Sequence, residues 1–403
     1  MSGRLWDGGG PLDARVLAWT AGEDHRLDAR LVPHDVRASI AHGAMLVAQG
    51  LLAPPDFAAI RDGLERLAAE HARGEWEIEL ADEDVHTALE RRLTERIGPA
   101  GGRIHLGRSR NDQVLAALRL YLRSATDDLA ARVRAVALAL GELAARHADC
   151  PLPGYTHLQR AMPSSVPLWA GGFADALADD ALGLEACRRR IDQNPLGSAA
   201  GYGTPGLPID REATRAALGF AVTQTPVTAV QLSRGKAEAQ VLFEIALLAG
   251  DLSRLAADVV LFASAEFGFV ELPEAITTGS SIMPGKRNPD LFELTRGRAA
   301  TALAALVEAL ALPAKLPSGY QRDLQLLKAP LFRALDLARG TCDLLAGVLP
   351  GIAFRRESLT LAPELFAAEE AHRLVLAEGI PFREAYRRVA AGARCPDSGV
   401  VER

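Results

Sequence analysis

The segment at residues 279–290 combines groups that could stabilise negative charge during a reaction. It reads Gly-Ser-Ser-Ile-Met-Pro-Gly-Lys-Arg-Asn-Pro-Asp, and its glycines and prolines are typical of a loop. Asn288 as N-cap, Pro289 at the first helical position and Asp290 behind it predict a helix start. A serine hydroxyl, the charge of Lys286 and helix-terminal amides together suit an anion, or charge that develops on a carboxylate. A flexible connector is the alternative, but Gly/Ser linkers rarely contain such a run.

Four further segments bring charged and polar residues together. They begin at residues 83, 107, 154 and 320 and read Glu-Asp-Val-His-Thr-Ala, Gly-Arg-Ser-Arg-Asn-Asp-Gln, Gly-Tyr-Thr-His-Leu-Gln-Arg-Ala and Tyr-Gln-Arg-Asp-Leu-Gln. Gly/Pro-rich stretches at 150–167, 194–208, 271–289 and 312–319 contain or flank several of them. Functional residues concentrate on loops that a rigid scaffold holds in place. We therefore expect these segments to supply the functional side chains.

Residues 279–290 resemble the signature of the fumarase/aspartase superfamily, whose members reversibly eliminate an amine or water from a succinyl group and release fumarate. The four other segments occur in the order of the argininosuccinate lyase family, and the Gly-Arg-Ser-Arg-Asn-Asp-Gln string distinguishes that family from its relatives. The resemblance extends from about residue 28 to about residue 388. It implies an enzyme of arginine biosynthesis that splits argininosuccinate into arginine and fumarate, without a metal or a cofactor.

The resemblance also implies how the serine loop would act. Ser280 is the implied general base, with its pKa lowered by the local positive field. Lys286 would stabilise the dianionic intermediate that forms when the proton next to a carboxylate is lost, and Asn288 would hold a carboxylate. A serine is a poor base in water, so this role requires a closed loop that excludes water. Without the neighbouring motif, Ser280 would be interpreted as a solvated loop residue.

The resemblance leaves two candidates for the proton donor, His157 and Thr156. His157 is a natural proton donor or relay near neutral pH, and the resemblance pairs it with a carboxylate that matches Glu293, one turn into the helix predicted to start at Asn288. Thr156 is the alternative acid. A surface histidine is the non-functional interpretation of His157.

The other implied roles concern substrate binding. Asp84 could bind the guanidinium of the substrate, Arg110 a carboxylate, and Lys328 a second carboxylate. Without the resemblance, Asp84 would be an exposed charge and Asn111 a helix cap. The implied substrate contacts are Asp84, Ser109, Arg110, Asn111, Gln159, Asn288, Tyr320, Gln325 and Lys328.

The chain departs from the family at a few positions near these motifs. Gly285 and Met162 stand where the family usually has glutamine, Arg287 where it has lysine, Leu89 where it has asparagine, and Asp24 where it has serine. Two other functions therefore stay open. One is a related lyase that releases fumarate from another succinyl substrate, such as adenylosuccinate. The other is a non-catalytic paralogue with the same fold.

Three apolar stripes with spacings of three or four predict long helices. The first runs from Leu118 to Leu143 and is predicted to begin at a cap at Asn111 or Asp112 and to end before Pro151; the others span 173–191 and 241–262. We therefore predict an all-α fold, and the resemblance implies a long-helix bundle of the fumarase/aspartase type. Its predicted domains are an N-terminal helical domain at 1–107, the central bundle at 108–350 and a short C-terminal helical domain at 351–403. The wide stripes favour burial between subunits, and the resemblance implies a homotetramer with composite active sites.

The composition sets limits on other classes of function. The 403 residues carry a net charge of −6 and are 49% hydrophobic and 5% aromatic, which favours helix packing and gives no basic surface for nucleic acid. No stretch reaches 18 uncharged apolar residues, so no membrane partner is expected. The four cysteines show no zinc-site spacing and are interpreted as free thiols of a cytoplasmic protein; they are Cys150, Cys187, Cys342 and Cys395.

Overall fold

The computed structural model describes residues 13–392, so Cys395 lies outside the described residues. Fifteen α-helices occur within this range. In chain order they are α1 (Ala14–Ala21), α2 (Asp24–Leu27), α3 (Val32–Ala48), α4 (Pro54–Ala72), α5 (Val85–Ile97), α6 (Arg110–Arg146), α7 (Val166–Ala186), α8 (Arg188–Ile191), α9 (Arg211–Leu218), α10 (Thr228–Leu232), α11 (Lys236–Phe262), α12 (Asp290–Ala311), α13 (Lys328–Val348), α14 (Ala367–Glu378) and α15 (Phe382–Ala390). Short 3₁₀ turns link several of them. The all-α prediction is confirmed.

The apolar stripes of the sequence are the buried faces of the long helices. In α6 every predicted stripe residue from Leu118 to Leu143 is at most 1% exposed. In α11 the stripe from Val241 to Phe262 is also buried. The stripe at 173–191 forms part of α7 and, after a break at Cys187, the short helix α8. A side-chain period of three or four places these residues on one face of a helix, which is why the sequence predicts them.

Two helix starts differ from their predictions. Helix α6 begins at Arg110, and Ser109 is its cap rather than Asn111 or Asp112: the Oγ of Ser109 accepts from the backbone N–H of Asn111 at 3.3 Å, and the Oδ1 of Asp112 accepts from that of Ser109 at 2.9 Å. These two bonds satisfy backbone donors at the start of the helix.

Helix α12 begins at Asp290, and its first turn bonds to the carbonyl of Pro289, not to Asn288. The prediction of Asn288 as the cap was therefore wrong. Its backbone is held elsewhere, because the N–H and the carbonyl of Asn288 both pair with Thr278, at 2.8 and 3.1 Å.

Six short strands form three two-stranded sheets in the described range. They are β1 (Pro151–Thr156), β2 (Gln159–Ser165), β3 (Gln193–Asn194), β4 (Val222–Thr223), β5 (Val270–Glu271) and β6 (Ala353–Phe354). Strands β1 and β2 form an antiparallel hairpin, with Thr156 opposite Gln159 and a register shift between Gly154 and Tyr155. The segment predicted as a loop around His157 is thus the tip of a hairpin.

The chain divides into two compact units. Unit 1 contains Met1–Ala131, Asp180–Ala249 and Ala300–Arg339, and unit 2 contains Arg132–Asp179, Gly250–Ala299 and Gly340–Arg403. Unit 1 includes a core in which alanines and leucines of α3, α6 and α9 pack around Phe220. Near its C-terminal end, unit 2 packs α14 against α15 through Ala371, Leu374 and Ala385. The division into three domains stays a prediction.

Candidate active site

A small polar cleft in unit 1 is lined by residues from five separate parts of the sequence. Its volume is about 20 Å³, space for about one water molecule. Six of the predicted substrate contacts line it, together with three residues that the sequence analysis does not include among them. The lining residues are Asp24, Asp84, Arg110, Asn111, Val114, Arg234, Tyr320, Gln325 and Lys328.

Asp84 is fixed at this cleft because it caps helix α5. Its Oδ1 accepts from the backbone N–H of Thr87 at 3.0 Å and from the hydroxyl of Thr87 at 2.9 Å. Its Oδ2 lies 3.2 Å from Nη1 of Arg110. Burial disfavours a charged carboxylate, but His86 and Arg110 outweigh burial and lower the pKa of Asp84. The group is therefore a permanent negative charge, and it is buried rather than exposed.

Arg110 and Asn111 reach the cleft because they are the first residues of α6. Arg110 donates to the Oε2 of Glu83 at 2.9 Å and also faces Asp84. Its guanidinium is thus paired with two carboxylates. Ser109 does not line the cleft but forms the cap that fixes the position of both residues.

The last part of the cleft in chain order comes from the segment before α13 and from the first residue of that helix. Tyr320 and Gln325 line it, and the Nε2 of Gln325 donates to the carbonyl of Thr20 at 2.9 Å. Lys328 follows as the first residue of α13 and is 2% exposed. Gln325 and Lys328 therefore both line the cleft.

Lys328 lies between two carboxylates. Its Nζ is 2.6 Å from Oδ1 of Asp28 and 2.8 Å from Oδ2 of Asp24. Burial would lower the pKa of Lys328, but Asp28 and Asp24 outweigh burial and raise it. Burial, with repulsion from Asp28 and Asp84, raises the pKa of Asp24 to about 7 despite its contact with Lys328.

A buried polar layer supports the Asp84 turn. His86 is ion-paired with Asp35 through Nδ1, and Arg108 donates to the hydroxyl of Ser39 at 2.9 Å. Burial disfavours the charged imidazole, but Asp35 and other nearby carboxylates outweigh burial and raise the pKa of His86. This layer is structural in character, because these groups are buried and do not line the cleft.

The predicted catalytic residues all belong to unit 2. The loop between Thr278 and Asn288 is closed at its base by their two backbone hydrogen bonds. Within it, the Oγ of Ser280 accepts from the backbone N–H of Met283 at 3.0 Å and of Ile282 at 3.3 Å. Two amides directed at one hydroxyl oxygen stabilise negative charge there. The local geometry therefore places two backbone donors at the oxygen on which a serine base would carry negative charge.

The other charged groups of this loop are exposed. Lys286 is exposed, and Arg287 is ion-paired with Glu274. The side-chain amide of Asn288 donates to the carbonyl of Gly279 at 3.3 Å. Glu293 lies in the first turn of α12. Ile282 is 84% exposed, so an apolar side chain beside Ser280 is uncovered.

Thr156, His157 and Gln159 lie at the tip of the β1–β2 hairpin and are exposed. His157 and Leu158 both have a φ of 55°, the geometry of a two-residue hairpin turn that favours asparagine and glycine. Residues without that preference, held at positive φ, are often found at functional sites. In the described chain no hydrogen bond or ion pair joins His157 to Glu293.

Three residues at the cleft were not among the predicted contacts: Asp24, Val114 and Arg234. Asp24 could have been found, since the departure from serine marks it. Arg234 follows the short helix α10 in a turn before α11, and no pattern in the sequence distinguishes it from a solvated arginine.

Comparison with known proteins places the chain in a family. A family model described as a lyase matches residues 10–303. The argininosuccinate lyase of Sorangium cellulosum is 50% identical over 393 residues, covering 97% of this chain and 91% of that protein. The argininosuccinate lyase of Stenotrophomonas maltophilia strain R551-3 is 43% identical over 402 residues, covering 99% and 93%. Among solved structures, EDDS lyase in complex with formate superposes with a TM-score of 0.79 at 27% identity, covering 96% of this chain and 78% of that one.

These similarities extend over nearly the full chain, and the helical fold agrees with them. The chain is a lyase and belongs to the argininosuccinate lyase family.

Proposed function

We propose that this protein eliminates argininosuccinate to arginine and fumarate, and that it catalyses the reaction in both directions. The observation that carries the chemistry is the environment of Ser280, whose Oγ accepts two backbone N–H groups within the family's signature loop. Ser280 removes the proton from the carbon next to a carboxylate. Its hydroxyl is prepared for this role by the two amides, and Lys286 in the same loop supplies positive charge for the intermediate.

The side chains that line the unit 1 cleft contact the charged groups of the arginine portion of the substrate. It offers both signs of charge within one small space, with Asp84 and Asp24 for cationic groups and Arg110, Lys328 and Arg234 for anionic ones. Asn111, Tyr320 and Gln325 add uncharged hydrogen-bonding groups. An arginine moiety has a guanidinium, an ammonium and a carboxylate, so a cleft of mixed charge suits it.

The leaving nitrogen needs a proton after the carbon–nitrogen bond breaks. His157 or Thr156 supplies it from the hairpin tip, with Glu293 as the partner of His157. Gln159 and Asn288 complete the substrate contacts, together with Ser109 and Arg110. The choice between the two donors stays open, since both are exposed on the same turn.

The test of this function is release of fumarate, followed by its ultraviolet absorbance. Purified protein is incubated in separate reactions with argininosuccinate and with adenylosuccinate. We expect fumarate from argininosuccinate, with arginine in equal amount. Fumarate from adenylosuccinate but not from argininosuccinate would show that the protein is the related lyase. No fumarate from either substrate would favour a non-catalytic paralogue.

We further propose a homotetramer in which several subunits supply each active site. Long helices of this chain keep large apolar side chains exposed: Leu303, Val307 and Leu310 of α12 are each more than half exposed and recur at spacings of four and three. Phe243 and Leu247 of α11 are nearly half exposed. Such stripes are typical of surfaces that another chain covers.

The same surface explains why one segment has the composition of a membrane span. By length and composition alone, the segment Asp290–Lys315 is long and apolar enough to cross a membrane. Only 17% of its most apolar window is buried inside this chain. A helix at the centre of an oligomer has this composition too. In the described residues no hydrogen bond or ion pair joins His157 to Glu293, which also favours sites completed by a neighbouring subunit. The cytoplasmic location and the role in arginine biosynthesis stay predictions.

A further inference from the structure

Three cations line the unit 1 cleft, and they differ in how far their charge is already satisfied. Lys328 contacts Asp24 and Asp28 at 2.8 and 2.6 Å. Arg110 contacts Glu83 and Asp84 at 2.9 and 3.2 Å. Each of these two cations therefore has two carboxylates within contact distance before any ligand arrives.

Arg234 is different. It is 3% exposed, and its Nη2 donates to the carbonyl of Leu324 at 3.1 Å. Its Nε and Nη1 have no hydrogen-bond partner, although both are shielded from solvent. The nearest carboxylate, that of Glu238, lies 3.6 Å from Nε, beyond hydrogen-bond distance. Buried guanidinium N–H groups without an acceptor are costly, and a ligand oxygen at the cleft would satisfy them.

The surroundings of Arg234 also contain an excess of positive charge. Arg119 is buried nearby, and Glu238 attracts it while Arg234 repels it. Burial, with a contribution from Arg234, lowers the pKa of Arg119 to about 10. Two buried guanidiniums share one buried carboxylate, so a bound anion would balance the charge.

Asp24 affects which of these cations can bind a carboxylate of the substrate. It contacts Lys328 and lines the cleft. With Asp24 and Asp28 on either side, Lys328 is less free to take a carboxylate of the substrate. The role that the resemblance gives to Lys328 then needs another cation.

We propose that Arg234 binds the α-carboxylate of the arginine portion of the substrate in this protein, while Lys328 mainly neutralises Asp24 and Asp28. This inference rests on the proposed function. The N–H groups of Nη1 have no acceptor, and a guanidinium N–H of this kind forms a charge-assisted hydrogen bond with a carboxylate oxygen.

Calorimetric binding of two ligands to the full-length protein tests the proposal. L-Arginine has an α-carboxylate and agmatine lacks it, but both have the guanidinium. Arg234→Met should weaken arginine binding about 10- to 100-fold, the usual size of a charged hydrogen bond, and should change agmatine binding less than about threefold. Lys236→Met is the matched control, because Lys236 is an exposed cation two residues away that does not line this cleft; it should leave both affinities unchanged.

Kinetics separate binding from a purely structural role. With argininosuccinate, Arg234→Met should raise KM and leave kcat within about threefold. Equal weakening of arginine and agmatine, or no change in either, would overturn the proposal. Should Arg234→Met fail to fold, a crystal structure of the wild-type protein with L-arginine decides: the proposal requires the ligand carboxylate on Arg234, and a carboxylate on Lys328 alone contradicts it. Fumarate release by the wild-type protein tests the proposed function separately, since it does not depend on which cation binds the carboxylate.

Discussion

The Nζ of Lys328 lies 2.8 Å from Oδ2 of Asp24. Asp28 contacts the same ammonium at 2.6 Å. All three side chains are buried, so the cluster places two carboxylates and one ammonium out of water. When all three groups are ionised the cluster has a net negative charge, which is unfavourable at low dielectric.

Asp24→Asn should stabilise the protein more at pH 8 than at pH 5. The pKa of Asp24 is raised from 3.8 to about 7, so the folded protein holds this proton more tightly than the unfolded chain does. The stability from protonated Asp24 is complete below about pH 4 and is lost as the pH rises through 7. Asparagine is neutral at both pH values. The increase in the free energy of unfolding that Asp24→Asn gives over the wild-type protein should therefore be about 2 kcal/mol larger at pH 8 than at pH 5.

Urea unfolding at the two pH values measures this difference. Asp62→Asn is the control, because Asp62 is exposed. This variant should change the free energy of unfolding by the same small amount at pH 5 and at pH 8. A gain from Asp24→Asn that does not change with pH would mean that Asp24 is ionised in the folded protein over the whole range.

Lys328→Met should be strongly destabilising at pH 8. It leaves Asp24 and Asp28 buried without their cation, and removing one partner of a buried ion pair costs about 3–5 kcal/mol. The double variant Asp24→Asn with Lys328→Met should recover part of the loss, because it removes one of the two unpaired carboxylates. Equilibrium unfolding in urea measures all three variants. Lys315→Met, at an exposed lysine, should change stability by less than about 0.5 kcal/mol. A double variant no more stable than Lys328→Met would show that Asp24 does not contribute to the cost.

Ser280→Ala and His157→Ala should partly restore each other's activity when they are refolded together. Both lesions lie in unit 2, but in a tetramer with shared sites some mixed sites contain neither. We expect inactive separate variants and measurable fumarate release from the mixture, with light scattering consistent with four chains. An active monomer, or a mixture as inactive as its components, would exclude shared sites.

The sequence predicts the scaffold better than the charges at the cleft. The stripe from Leu118 to Leu143 is almost wholly buried in α6, because helix periodicity alone determines which face is apolar. The start of α12 was misplaced, since a long-range bridge between Thr278 and Asn288 takes precedence over the local capping preference of Asn288. Local signals contain no information about such pairs.

The cleft shows the same limit. Asp84, Arg110, Gln325 and Lys328 were found because family motifs contain them, although they are far apart in the chain. Arg234 was missed because nothing near it in the sequence is distinctive; its importance comes from two buried nitrogens without acceptors. The burial of Glu83 and Asp84, which look like an exposed charge pair, likewise depends on contacts with distant residues such as Arg110.

The most direct test of the account is a time course of fumarate release from argininosuccinate by the wild-type protein, Ser280→Ala and Ser281→Ala. Ser281 is the adjacent exposed serine of the same loop, so its variant controls for disturbance of the loop. We predict fumarate and arginine in equal amounts from the wild-type protein, turnover within about threefold of this for Ser281→Ala, and a loss of at least about 1,000-fold for Ser280→Ala, with unchanged thermal unfolding. Near wild-type turnover by Ser280→Ala would contradict the assignment of the base, and Thr156 or His157 would then be the next candidates.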